Sequence, residues 1–193
     1  PGTYSVTLEK RINGVHVTLQ EPVSFDVIPL FEGSLPRKSN QEINDFREDV
    51  IAFQQDLTST NISLSRSLKT TNAMLRALNK ASRPTNDLFK KLNSTKISLL
   101  TIDKELNGDS IKDEIGERSN PSASDGGSLG WTAFGNTYGP TDEHMRLLNR
   151  VKSQLKKVKN KLYPIVNSTL PSLRNELIKT GAPWIEGQGL IND

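Results

Sequence analysis

The sequence predicts a mainly α protein: an antiparallel up-down-up bundle of three long helices, preceded by a short antiparallel β segment that reads as the remnant of a sandwich. Three observations predict it. Three stretches repeat apolar residues at three-then-four spacing, the helical period. Residues 3 to 28 alternate at the strand period of two. The chain has 193 residues, of which 34% are apolar and 6% aromatic. That composition suits an elongated bundle with a narrow buried seam and broad wet faces.

In the β segment, Tyr4, Val6 and Leu8 share one parity, followed by Val15, Val17 and Leu19 and then by Val23, Phe25 and Val27. The Asn13-Gly14 dipeptide favours the positive φ angles of a tight hairpin turn, so three short strands are expected over 1–30. Alone they cover only a thin apolar face. They read as the last strands of a sandwich, or as a small sheet packed on the helices.

Residues 31–40 have linker composition, with Gly33, Pro36 and the basic pair Arg37-Lys38. Ser39 or Asn40 then caps a helix, and Glu42 in its first turn complements the helix dipole. Ile43, Phe46, Val50, Phe53 and Leu57 carry its stripe, which weakens at Thr60, Ser67 and Thr71 and resumes through Leu64, Leu68, Leu75 and Leu78. Ser82-Arg83-Pro84 ends it, because the residue before a proline disfavours helical geometry.

A second helix begins near Thr85 and runs through Leu88, Leu92, Thr95, Leu99, Ile102 and Leu106 to the stop at Asn107-Gly108, with a short extension over Ile111 to Ile115. Residues 116–139 have no period, six glycines and three aromatics, Trp131, Phe134 and Tyr138; a loop of that length is often functional. The third helix opens at Pro140-Thr141-Asp142-Glu143, and Leu148, Val151, Leu155, Val158, Leu162 and Ile165 form its seam. Pro164 and Pro171 should each kink or interrupt it. The bundle therefore spans 41–182, and a tail over 183–193 offers Trp184 to pack back on it.

No catalytic set assembles along this frame. The two histidines, His16 and His144, have no partner at metal-ligand spacing. Asp142, Glu143 and His144 are adjacent, but successive helix residues point about 100° apart, so capping is their expected role. Asp45 with Glu48 or Asp49, and Asp113 with Glu114, fall on polar helix faces rather than across a glycosidic bond. There is no cysteine, nucleophile elbow, Walker loop or dinucleotide fingerprint, so neither a catalytic site nor a cofactor or metal site is expected.

A net charge of +3 does not call for a polyanion, and Lys152, Lys156, Lys157, Lys159 and Lys161 have no aromatics beside them to stack bases. Nucleic acid is not expected as a partner. The Asn-x-Ser/Thr triplets at Asn61, Asn93 and Asn167 lie inside expected helices. No run of about 18 apolar residues is present, so no membrane span is expected. The candidate interaction surface is Trp131, Phe134, Tyr138, His144 and Trp184. Two roles are open for the loop aromatics: stacking a sugar or gripping a peptide, or plugging the bundle end.

Pro1-Gly2-Thr3-Tyr4-Ser5-Val6-Thr7-Leu8, Thr137-Tyr138-Gly139-Pro140-Thr141 followed by His144, and Gly181-Ala182-Pro183-Trp184 resemble the C-terminal region of bacterial sortilin-like BNR-repeat propeller proteins described as glycosyl hydrolases. The resemblance covers nearly the whole chain through short motifs. It implies an exported bacterial protein, periplasmic, outer-membrane-associated or secreted, whose upstream propeller and sandwich domains are the partners of this region. The opening at Pro1, with neither an initiator Met nor a signal-like region, fits a processed or excised piece. On that basis the expected function is a non-catalytic C-terminal helical module that supports the parent fold or mediates protein–protein interaction. The competing expectations are a part of a glycoside hydrolase whose active site lies mainly in the propeller, with Glu143, His144 and the aromatic loop completing the cleft, and a self-associating coiled coil.

Overall fold

The computed structural model describes residues 1–30, 36–117, 121–136 and 138–188. The expected linker at 31–35, residues 118–120 and Thr137 of the loop, and 189–193 of the tail lie outside the described residues. Two strands come first, β1 (Gly2–Ile12) and β2 (Val15–Val27), followed by the helices α1 (Asn40–Leu78), α2 (Asn86–Asn107) and α3 (Ser110–Glu114). A 3₁₀ segment (Ala123–Ser128) leads into α4 (Leu129–Phe134), α5 (Asp142–Pro164), a π-helical segment (Ile165–Thr169) and α6 (Leu170–Lys179).

The β segment is one long hairpin rather than three short strands. Asn13 and Gly14 take φ values of 50° and 83°, the left-handed geometry of a two-residue turn. β2 is 13 residues against 11 in β1, and two register shifts between Val6 and Glu9 absorb the extra two. The first shift falls between Gln20 and Val23, so Pro22 is accommodated without ending the strand, and the second falls at Leu19, between Thr18 and Gln20. Pairing sets Tyr4 against Phe25, Val6 against Val23 and Ile12 against Val15 on one face. The other face is polar, with Thr3 Oγ1 donating to Asp26 Oδ1 at 2.7 Å and His16 beside Glu9 at 3.1 Å. Every residue of both strands is exposed.

The helices form the expected up-down-up bundle. α1 and α5 run parallel, and their register is fixed by Lys152 Nζ to Asp49 and Lys159 Nζ to Asp56, each 2.8 Å, one heptad apart on both helices. α2 runs antiparallel to α5 and α6, through Lys161 to Glu105 at 2.7 Å and Lys91 to Glu176 at 3.0 Å. Such exposed pairs contribute about 0–1 kcal/mol each and mark register more than stability. The seams do the stabilising. One apolar cluster joins Val50, Phe53, Leu64, Leu99, Val151 and Leu155; a second joins Met74, Leu78, Leu92, Leu173 and Leu177.

The lengths do not match, and this explains the loop. α1 has 39 residues and α2 only 22, about 58 Å against about 33 Å at 1.5 Å per residue. Asn107 at the end of α2 reaches only Asn61, 2.9 Å away, so the first turns of α1 would lack a third layer. The 3₁₀ segment and α4 supply it, burying Ala123, Leu129 and Ala133 between α1 and α5. The part of the expected 116–139 loop between Ala123 and Phe134 is therefore a packed layer.

Caps fix the helix starts. Ser39 Oγ accepts from the Glu42 N–H at 3.2 Å while the Glu42 carboxylate accepts from the Ser39 N–H at 2.9 Å, closing a capping box. The Ser39 N–H and then its hydroxyl hold the Glu42 carboxyl below its ordinary pKa. The sign follows directly: a depressed acid stabilises the fold above its unfolded pKa, and that contribution disappears as pH falls through the lowered value. Ser39→Ala should cost about 1 kcal/mol in urea titration. In the same variant, the Glu42 titration midpoint measured by NMR should rise toward the ordinary value.

At the other end, Pro164 and Pro171 remove two backbone donors, and the chain widens to π geometry between them instead of breaking. Leu170 N–H reaches back to Ile165 O, while Asn167 Nδ2 donates to Tyr163 O at 2.9 Å.

Candidate functional site

The five residues of the expected interaction surface fall at two ends of the rod. Four gather around the start of α1. α4 turns Trp131 outward, 88% exposed, and Phe134 inward, half-buried. Phe134 meets Phe46 edge to face with ring centroids 6.0 Å apart, and the Arg47 guanidinium lies 5.1 Å from its ring centre. So Phe134 closes the bundle end while Trp131, three residues earlier, is free.

Tyr138 is held through its backbone. The Asn136 carboxamide accepts from the N–H groups of Tyr138 and Gly139 at 3.0 and 2.9 Å, and Tyr138 O accepts from Lys38 N–H at 2.8 Å. Gly139 has φ 97°, and a Cβ there would lie 2.8 Å from Ile43 Cγ1, so this crossing of the chain over α1 requires glycine. His144 is a capping residue, as expected: its N–H donates to Thr141 Oγ1 at 3.3 Å and its Nδ1 accepts from Thr141 N–H at 3.2 Å. With that nitrogen occupied as an acceptor, the imidazole is committed to starting α5.

Trp184 sits at the far end and is 58% exposed; it does not pack on the bundle. Ile185 takes that place, buried in the cluster of Leu173 and Leu177, with Gln188 Oε1 accepting its N–H at 3.0 Å. The sequence offered two large apolar side chains side by side, and the smaller one fills the gap.

The carboxylates spread apart. Glu143 is exposed and its nearest ionic partner is Arg146, 3.6 Å away on the same helix face. Asp49 and Asp56 hold lysines of α5, and Asp45 accepts from Gln41 at 2.6 Å. Among the described residues no three His, Asp or Glu side chains converge where they could hold a metal ion. The basic stretch of α5 is partly neutralised, since Lys152, Lys159 and Lys161 each pair with an acid of α1 or α2. No described helix is long and apolar enough to cross a membrane.

One region has the shape of a contact site. Where the hairpin leaves the bundle, its base and the start of α1 enclose a cleft of about 670 Å³ lined by Tyr4, Val27, Arg37, Arg47, Phe134 and Tyr138. Above it the apolar hairpin face stands open, its side chains 41% to 63% exposed. The strand alternation in residues 3 to 28 was the available signal for this face, because no later segment of the chain has strand period to cover it.

Compared with family models, curated proteins and solved structures, the chain matches none.

Proposed function

We propose that the protein is a non-catalytic helical module that carries a β contact element at one end of a stiff rod, supporting a larger fold or mediating protein–protein contact. The observation that carries this reading is the bare apolar face of the hairpin beside a bundle whose own seams are filled. A water-facing apolar surface of that extent on an ordered element is the usual mark of an interaction site. The polar groups agree with it: Glu143 faces solvent, His144 caps a helix, and the helical acids pair with lysines. On the sequence resemblance, the larger fold is an exported bacterial propeller protein, and any sugar or protein recognition of the parent belongs to its propeller.

The leucine seams of the described helices are already buried within one chain, so the self-associating coiled coil is not favoured. The enzyme reading is tested by assaying the purified chain against a panel of aryl glycosides. The expected result is no turnover above buffer, with Glu143→Gln indistinguishable from the parent sequence. Turnover that Glu143→Gln abolishes would contradict the proposal.

A further inference from the structure

We infer that the apolar hairpin face is occupied by the same face of a second copy of this chain, stacked about a two-fold axis. This rests on the reading of the hairpin as the contact element and names its occupant. Three observations carry it: the extent of the face, its composition and its self-complementarity.

The register places nine apolar side chains of β1 and β2 on one face, each about half exposed. Nine side chains of this size, each about half exposed, form a continuous apolar patch, and a specific protein–protein interface needs only on the order of 500 Å² from each partner. A two-stranded hairpin is marginal on its own in water. Here the strands are 11 and 13 residues long, and every residue is exposed, so nothing among the described residues covers them. Stacking a second hairpin buries both faces at once, and the product is a small sandwich with sheets about 10 Å apart.

The composition fits a like partner. Lys10 is the one charged side chain that the register puts on this face, opposite Val17, with Gln20 the other polar one. The acid and basic residues Glu9, Arg11, His16 and Asp26 pair on the opposite face, away from the contact. A partner recognised by charge would find little to read here, whereas an apolar sheet face finds its match.

Self-complementarity follows from where Lys10 lies. With the two-fold axis between the sheets at the level of Thr7 and across the strands, β1 stacks on β1 of the other copy in the opposite direction. Leu8 of one copy then lies over Val6 of the other, and Lys10 over Tyr4. Tyr4 and Phe25 are stacked side by side with ring centroids 6.0 Å apart, so each Lys10 ammonium faces an aromatic surface instead of the other Lys10. The same axis reverses the strand direction, so the two helical bundles leave from opposite ends of the stacked hairpins. An isologous contact of this kind closes at two copies. β2 faces neighbours with two bulges and Pro22, which blunt its free edge against further strand addition.

The test is sedimentation velocity on the 193-residue chain from about 1 to 100 μM, the range in which an interface of this size associates. The expected species is a dimer, twice the 21.4 kDa chain. Val6→Lys and, separately, Phe25→Lys should each give a monomer with unchanged helical circular dichroism, while Thr7→Lys on the polar face leaves the dimer intact. A dimer that survives both face substitutions overturns the proposal. Amide exchange of the parent chain separates the remaining cases: a monomer with protected hairpin amides overturns the second copy but leaves the face to another sheet, such as one in a larger parent. A monomer whose hairpin amides exchange at coil rates overturns both this inference and the contact-element reading.

Discussion

Leu99→Ala is expected to lower unfolding free energy by about 2–5 kcal/mol, read as a lower urea midpoint with unchanged slope. Leu99 is fully buried in the larger apolar cluster, on the helix that faces both α1 and α5. Cutting its isobutyl side chain back to a methyl deletes transfer energy and leaves a hole that three helices must close together. They cannot collapse freely, because the neighbouring seam residues Leu64, Ile102, Leu155 and Val158 are themselves buried and hold the helices apart. If α2 lay loosely on the bundle, the cost would fall below about 1 kcal/mol, the range of surface substitutions and mild repacking. An unchanged midpoint would therefore place α2 outside the core.

The second large effect is expected at Gly126. A Cβ built there would lie 2.5 Å from Phe53 Cε1 and 2.8 Å from Val151 Cγ2, both on buried side chains of the two long helices. Gly126→Ala is expected to cost about 1–3 kcal/mol through forced displacement of those side chains, and Gly126→Leu more. Thermal unfolding followed by circular dichroism measures it. Gly127 is the internal control: a Cβ there meets nothing within 4 Å, so Gly127→Ala should be close to neutral. Equal behaviour of the two glycines would mean that residues 123–134 do not pack as a layer between α1 and α5.

These two positions mark where sequence reading succeeds and where it stops. α1 and α2 were legible to within a few residues, α1 ending at Leu78, ahead of the expected stop at Ser82-Arg83-Pro84. Their leucines recur at helical spacing, Ser39 with Glu42 makes a recognisable cap, and Ser82-Arg83-Pro84 and Asn107-Gly108 are strong stops. The third rod was legible through its seam, although the two prolines gave no hint that a π segment would keep it continuous.

The layer over 123–134 was hidden because small residues build it. Ala123, Gly126 and Ala133 bury without producing an apolar period, and close approach is what selects them. A length argument could have found it: a 39-residue helix facing a 22-residue one leaves a stripe at Phe46 and Val50 that something must cover. The hairpin shows a different limit. The runs Val15–Leu19 and Val23–Val27 read as two strands, yet one bulged strand passes through Pro22 between them because the ladder there is already irregular.

The candidate surface was only partly legible. Aromatic content singled out Trp131, Phe134, Tyr138 and Trp184, and the structure divides them by burial: Phe134 plugs the bundle end, Tyr138 is fixed by its backbone, and the two tryptophans face water at opposite ends. Which of two adjacent residues turns inward, as with Trp184 and Ile185, depends on the shape of a gap that only three packed helices define.

The central claim is that the leucine seams close within one polypeptide and leave the hairpin as the contact element. Helical circular dichroism and melting temperature of the Val6→Lys variant, followed over a hundredfold dilution, test it most directly. The account predicts that both stay constant for a monomer. Loss of helicity or a falling melting temperature on dilution would show the seams pairing between chains and contradict it.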